Sequence, residues 1–300
     1  MTFMAYRCKI SVMTLKEAHQ QFVDNLKSRS RASATILAYG KDIDQLVKYL
    51  EVQGKTDPSE VILEDLQAFM AKLGKESYTA KSISRKTNST KTFFKFLKIG
   101  GVIAEDPATM LEHPKFENKP PRILSQVEYR ALRDAARADI RIFAVIELLL
   151  QTGIRIGELA ELRVEDINVI EPETVHVPIF EGSSERTIPL NKPAVEALQK
   201  YLEIRPKTPN QALFITKTGR PLLIRNIRTA IDRYFKIAGI PNAKVNDLRH
   251  TWVAYHLQAG TSLVTVSKLA GHKRLSTTER YLQFIQGGLN GNGKMKLEEL

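Results

Sequence analysis

Three short stretches in the second half of the sequence hold residue types that handle phosphate chemistry. In "TGIRIGEL", Gly153 can end one helix and leave Arg155 at the start of the next, with Glu158 one turn later. In "NDLRHTW", Asn246, Arg249 and His250 stand at i, i+3 and i+4 and share a helix face. In "GHKRLSTTERY", His272 and Tyr281 stand nine positions apart. Two guanidiniums at one point would clamp a phosphodiester, because each offers paired donors that match phosphate oxygens. The same clamp would stabilise the added charge of a pentavalent transition state. A tyrosine hydroxyl aimed at that phosphorus is a nucleophile that forms a covalent phosphotyrosine. A nearby imidazole takes the phenolic proton or hydrogen-bonds a non-bridging oxygen. The new linkage keeps the energy of the broken phosphodiester, so a hydroxyl attacking back recovers it. The sequence has no Walker loop, no acidic cluster for two metals and no Cys/His metal spacing, and this chemistry calls for no cofactor and no metal.

Taken singly, the same residues have structural uses. Arg155 suits a helix-end ion pair, Arg249 and His250 a buried network, His272 a loop, and Tyr281 a packed ring with its hydroxyl in water. Spacing alone leaves both readings open.

The elements that must position these residues fall in two helix-rich parts. In the first, "TLKEAHQQFVDNL" puts Leu15, Ala18, Phe22 and Leu26 on one stripe. "SATILAYGKDIDQLVKYLEVQG" repeats apolar residues at Ile36, Tyr39, Ile43, Leu46, Val47 and Leu50, with Gly54 as the stop. "VILEDLQAFMAKLG" reads as a third helix ending at Gly74. "TAKSISRKTNSTKTFFKFLK" reads as a fourth, with Ile83, Thr90, Phe93, Phe94 and Leu97 on one side. Lys81, Arg85, Asn88, Thr92 and Lys95 lie on the other, a basic stripe that suits either a DNA backbone or plain solvation.

"EHPKFENKPPR", residues 112–122, carries three prolines and reads as an extended linker. Ser125 and Glu128 then form a capping box, and helices follow to about residue 168. "TVHVPIFEGSSERTIPL" alternates β-formers around Glu181-Gly182-Ser183-Ser184 as a β-hairpin. A helix from Pro193, a short strand "ALFIT" with the turn "KTGR", and three or four more helices complete the chain. The expected fold class is therefore mainly α with a small β-sheet.

Bulk properties agree with a protein that meets a polyanion. The 300 residues suffice for two domains, the hydrophobic share of 43% supports real cores, and the net charge is +12. Nucleic acid is the commonest such partner. The single cysteine, Cys8, excludes an internal disulfide and a Cys-based metal site. The longest apolar run contains Arg141, Glu147 and Arg155 and reads as a buried helix rather than a membrane span. The N-terminus shows no secretory signal, so the expected location is cytoplasmic, with no membrane partner.

From about residue 14 to 286 the chain resembles the tyrosine recombinases of the phage-integrase and Xer type. "TGIRIGEL" matches the context of the family's first arginine at Arg155, "NDLRH" that of its second at Arg249, and the later Gly-His gives His272 with Tyr281 as nucleophile. The "ERTIPL" hairpin, the "EDI" near Asp166 and the "FFKFL" helix end also match. The resemblance implies a helical, SAM-like core-binding domain (14–111), the linker (112–122) and a catalytic domain (123–286), with an extension (1–13) before them. The two domains would form a C-shaped clamp on double-stranded DNA. It further implies paired inverted binding sites, a dimer on each site, a tetramer in synapsis, 3′-phosphotyrosine and Holliday-junction intermediates, and a nucleoid-associated enzyme. The tail 287–300 would dock on a neighbouring protomer. Glu158 and His250 would support the site, and Lys81, Arg85, Asn88, Thr92 and Lys95 would contact DNA.

Two positions depart from the pattern. Asn246 stands where the family has histidine; it can donate to a phosphate oxygen but cannot titrate near neutral pH. Glu181 stands where the family has its hairpin lysine, the acid for the departing 5′-oxygen, and no lysine occurs between Lys119 and Lys192. Lys192, Lys217 or a water are the replacements open to the sequence. A cleavage-deficient DNA-binding protein of the same fold is the alternative function, and a type IB topoisomerase or telomere resolvase a third.

Overall fold

The computed structural model describes residues 13–29, 31–116 and 120–285. The chain divides between Asn118 and Lys119 into two units, each with its own apolar core. The extension with Cys8, part of the linker and the tail 287–300 lie outside the described residues.

The first unit is four helices: α1 (Leu15–Ser28), α2 (Ser33–Val52), α3 (Leu63–Lys75) and α4 (Ala80–Ile99). α1 starts on a Thr14–Glu17 capping box, and all four stripe residues, Leu15, Ala18, Phe22 and Leu26, are buried. α2 buries Ile43, Leu46, Val47 and Leu50, while Ile36 and Tyr39 at its start are only partly covered. α3 runs through Gly74 to Lys75 rather than stopping at the glycine. α4 faces its Phe93, Phe94 and Leu97 into the core, where Phe93 meets Phe22 edge-on at 5.4 Å between ring centres. A buried carboxylate also sits here. Asp42 of α2 accepts from Lys86 at 2.9 Å, from Ser89 at 3.2 Å and from Arg85. Removing one partner of so buried a pair typically costs about 3–5 kcal/mol, so Lys86 is a structural cation, not a surface one.

The second unit wraps helices around α6 (Ile140–Thr152), whose residues from Ala144 to Thr152 are all buried. α5 (Gln126–Ala136) begins on the expected Ser125–Glu128 box. After α7 (Ile156–Glu161) comes a three-stranded antiparallel sheet, β1 (Ile167–Asn168), β2 (Thr174–Val177) and β3 (Arg186–Pro189), in the order β1-β2-β3. β2 pairs with β3 so that Val175 faces Ile188 and Val177 faces Arg186. Period-2 alternation buries Val175, Val177 and Ile188 and leaves His176 and Thr187 outside. The remaining helices are α8 (Lys192–Ile204), α9 (Ile224–Ile237), α10 (Val245–Gln258), α11 (Leu263–Ala270) and α12 (Leu275–Glu279), followed by a 3₁₀ turn over Arg280–Phe284.

The expected strand "ALFIT" is not a strand. It makes two isolated bridges, Arg163 with Ala212 and Ile215 with Pro221. The second bridge is made by the Thr216 N–H donating to the Arg220 carbonyl at 2.7 Å and the Leu222 N–H to the Phe214 carbonyl at 2.9 Å, so Pro221 between them needs no N–H of its own.

Candidate active site

The C-terminal end of α6 sets the first arginine. Gly153 takes a left-handed φ of 62°, ending the helix, and a Cβ built there would stand 2.4 Å from the Trp252 ring. Only glycine fits both demands. The turn it permits makes Arg155 the residue that caps α7. Arg155 donates to Glu158 twice, from its backbone N–H at 2.8 Å and from Nη1 at 2.8 Å, and Nη2 donates to the Gly271 carbonyl at 2.8 Å.

Glu158 is completely buried and receives a second guanidinium that sequence reasoning missed. Arg186 of β3 donates to it from Nη1 at 3.1 Å and Nη2 at 2.7 Å, and from Nε to the Leu269 carbonyl at 2.6 Å. Burial alone would push the Glu158 carboxyl up, but the bonds from Arg186 and Arg155 outweigh it and hold the group at about 2. The hairpin, α7 and the end of α11 are thus tied through one ionised carboxylate. Gly271 permits this closeness: a Cβ there would lie 2.8 Å from the Arg186 guanidinium, and its φ is 66°. Nothing in the sequence pairs the arginine of "ERTIPL" with Glu158.

α10 brings the second arginine to the same junction. Arg249 is buried and donates from Nη1 to the Gly153 carbonyl, while Trp252, one turn on, donates from Nε1 to the Gln151 carbonyl at 2.9 Å. The Arg249 Nη2 is buried and has no partner among the described residues. Burial first, and the nearby Arg155 second, lower the Arg249 pKa to about 9. A buried, unsatisfied N–H beside a like charge is costly, and an anion bound there relieves both penalties.

Tyr281 arrives from the 3₁₀ turn after α12. It is buried, and its hydroxyl lies 2.6 Å from Nδ1 of His250, the residue next to Arg249 on α10. Burial raises the phenol's pKa, against the pull of Arg249. His272 stacks its ring on Tyr281 at 6.4 Å between centres but hydrogen-bonds Thr278 through Nδ1 at 2.7 Å. Burial and the three arginines Arg249, Arg155 and Arg186 press His272 down to about 3, so it is neutral at physiological pH. His250 is lowered as well, chiefly by burial. Arg155, Arg249, His250, His272 and Tyr281 therefore form one cluster with Glu158 and Arg186 behind it.

Among the described residues, Asn246 and Glu181 make no hydrogen bond or ion pair with this cluster. Asn246 is exposed in the first turn of α10. Glu181 is exposed at the hairpin tip with a φ of 45°. The Glu181–Gly182 pair forms a tight turn closed by a bond from the Ser183 N–H to the Phe180 carbonyl at 2.8 Å, inside a connection between β2 and β3, residues 178–185, that is longer than the four-residue tip expected.

In the first unit, Lys81, Arg85, Asn88 and Lys95 are exposed and Thr92 is half-buried. Arg85 is engaged by Asp42 and by the Ala38 carbonyl at 3.4 Å. Asn88, Thr92 and Lys95 line a cleft together with Arg29, Arg31 and Lys91, and no carboxylate lines it. Among the described residues no helix is long and apolar enough to cross a membrane, and no three His, Cys, Asp or Glu residues gather as metal ligands.

Comparison with known proteins matches these features to one family. Residues 122–285 match the "Phage integrase family" and residues 19–100 the "Phage integrase, N-terminal SAM-like domain". Tyrosine recombinase XerD of Listeria monocytogenes serotype 4b (strain F2365) is 31% identical over 269 residues, covering 84% of this chain and 89% of that protein. Tyrosine recombinase XerC of Roseiflexus sp. (strain RS-1) is 31% identical over 265 residues, covering 84% of each. Among solved structures, the XerA recombinase shares 25% identity with a TM-score of 0.51, covering 89% of this chain and 93% of that one. A lambda integrase tetramer bound to a Holliday junction shares the fold, with a TM-score of 0.74 at 20% identity, covering 96% of this chain and 81% of that one. With its integrase domain, its SAM-like domain and its Xer relatives, the chain belongs to the phage integrase family and is a tyrosine recombinase, an enzyme of site-specific DNA breakage and rejoining.

Proposed function

We propose that Tyr281 is the nucleophile of this recombinase. Its oxygen attacks the scissile phosphorus while His250 accepts the phenolic proton. Arg155 and the unpartnered Nη2 of Arg249 hold the non-bridging oxygens, and His272 lines the pocket beside them. The products are a 3′-phosphotyrosine and a free 5′-hydroxyl, and attack by the partner strand's 5′-hydroxyl reverses the linkage into a Holliday junction. The observation that carries this reading is the 2.6 Å contact between the Tyr281 hydroxyl and a neutral His250, beside a buried guanidinium with one donor unused. A DNA-binding protein freed from catalysis has no need of this arrangement, so the cleavage-deficient alternative is not favoured.

The basic cleft on α4 and its neighbours serves as a phosphate-backbone contact. Two protomers bind inverted half-sites and four assemble in synapsis; the lambda integrase tetramer on a Holliday junction supports the fourfold assembly. Integration and excision of a mobile element, or resolution of dimers and cointegrates, are the reactions that such an enzyme serves.

Denaturing electrophoresis with labelled, nicked suicide duplexes tests the assignment without added metal. The protein should form a covalent adduct, and Tyr281→Phe should bind the same DNA and form none. An adduct surviving in Tyr281→Phe would remove Tyr281 from the role.

A further inference from the structure

Cleavage expels a 5′-oxygen, and an alkoxide leaves poorly without a proton. None of the clustered residues is placed to give one. Tyr281 surrenders its proton to His250, the arginines hold the phosphate, and His272 is a neutral imidazole, a weak acid. Glu181 presents a carboxylate on an exposed turn, which a phosphate repels. Lys192 pairs with Glu196 at 3.9 Å and lines a cleft with Arg133, Arg137 and Phe143; Lys217 lines another with Asp139, Arg141 and Arg233. Neither cleft includes a residue of the cluster.

Lys273 is different. It directly follows His272, and its Nζ reaches the tip of the β2–β3 hairpin, where a Cβ built on Gly182 would stand 3.1 Å from it. That tip is held over the start of α7. Phe180 packs on Gly157, where a Cβ would meet the ring at 2.6 Å, and the turn is closed by Ser183 through its N–H and its hydroxyl. Gly157 lies between Arg155 and Glu158 in sequence, and Arg186 at the foot of the same hairpin grips Glu158. Among the described residues Lys273 makes no hydrogen bond or ion pair. A free ammonium thus stands where a hairpin whose own side chain is acidic closes on the arginine cluster.

We propose that Lys273 is the proton donor to the departing 5′-oxygen, delivered by the His272 loop to the hairpin tip; this rests on the Tyr281 reading above. As the tyrosine oxygen bonds to phosphorus, the P–O5′ bond breaks and its electron pair goes to O5′. O5′ takes a proton from the Lys273 ammonium, leaving a neutral amine. In rejoining, that amine removes the proton of the attacking 5′-hydroxyl. Gly182 serves the approach by having no side chain to fill the space the amine occupies.

The test uses a duplex selected by the full-length protein from a randomised pool, cleaved once to map the Tyr281 adduct. It is then resynthesised with the 5′-bridging oxygen at that position replaced by sulfur. A thiolate leaves without a proton. Lys273→Ala should cut the oxygen duplex at least about 100-fold more slowly, the low end for a lost general acid, yet cut the sulfur duplex within a few-fold of the unsubstituted protein. Equal defects on both duplexes, or an unimpaired rate on oxygen, would overturn the assignment and leave Lys273 a backbone contact at most. Tyr281→Phe should be inactive on both. If the unsubstituted protein forms no adduct on either, the Tyr281 reading itself fails, and the Lys273 assignment falls with it.

Discussion

The Tyr281 hydroxyl lies 2.6 Å from Nδ1 of His250, whereas His272, nine residues before the tyrosine, turns its Nδ1 to Thr278 at 2.7 Å. The two histidines thus divide the work that spacing alone suggested for one. His250 contacts the nucleophile, and His272 stacks beside it and faces the arginines electrostatically. His250→Ala should slow adduct formation by about 10²–10⁴-fold with DNA affinity nearly unchanged, the range for loss of a proton acceptor. His272→Ala, which leaves the 2.6 Å contact intact, should cost less. Single-turnover cleavage beside a binding isotherm separates the two; equal losses in both variants would sink the division.

Gly153 joins the two arginines physically. Its carbonyl accepts from Arg249, its left-handed φ starts the turn to Arg155, and its missing Cβ admits the Trp252 ring. Gly153→Ala must strain the turn and displace an indole that is itself fully buried. Destabilisation of roughly 2–4 kcal/mol is expected, from backbone strain plus overpacking. Urea unfolding followed by the single Trp252 would report both the midpoint and the altered environment of the ring. A loss of unfolding free energy below about 0.5 kcal/mol would contradict the packing described.

The parts legible in the sequence were those in which one local rule decides. The Leu15–Leu26 stripe and the Ser125–Glu128 box needed only helical period and capping chemistry, and both are as expected. The cluster of Arg155, Arg249, His272 and Tyr281 was reached through motif contexts, because α6, α10 and the α11–α12 loop meet only in three dimensions. What stayed hidden was pairing across distance. Arg186 looked like a strand residue because its partner Glu158 is on a helix 28 positions away. Arg85 looked like a free groove cation because Asp42 lies on another helix. Lys273 reaches the hairpin tip at Gly182, far back in the chain, which no periodicity encodes.

The Glu158–Arg186 pair should therefore matter to folding as much as to cleavage. Arg186→Ala leaves a fully buried carboxylate with Arg155 as its remaining cation. The expected loss is about 2–4 kcal/mol, somewhat under that for a buried charge stripped of every partner. Arg186→Ala combined with Glu158→Gln should recover much of it, since the uncompensated charge is gone. A double-mutant cycle in urea measures the coupling; strictly additive losses would mean that the two do not act as a pair.

Acid should unfold the DNA-free protein in two overlapping windows. His272 is lowered from 6.5 to about 3, so between those values the unfolded chain binds a proton that the folded one refuses, and stability falls as pH drops. Glu158 is lowered from 4.5 to about 2, which removes stability in the same direction but only below about pH 4.5. The interval from pH 6.5 to 4.5 thus belongs to the histidines. His272→Gln should flatten the stability slope there, by on the order of 2 kcal/mol across the interval, and leave only the Glu158 share of the loss below pH 4.5. An unchanged slope in the variant would contradict a neutral, buried His272.

The basic cleft of the first unit answers to salt rather than to pH. Arg29, Arg31, Lys91 and Lys95 line it with Asn88 and Thr92 and without a carboxylate, so a phosphate backbone laid there displaces counterions from each cation it meets. Lys95 is exposed at its edge and Arg85, tied to Asp42, stands apart from it. Lys95→Ala should weaken binding to selected and unrelated duplexes alike and reduce the slope of log K against log salt by about one. Arg85→Ala should change the slope less and cost folding stability instead, because it removes one partner of the buried Asp42. Salt titrations of both variants, with unfolding curves alongside, tell the two cations apart; a larger slope change for Arg85 than for Lys95 would place the DNA on the other side of α4.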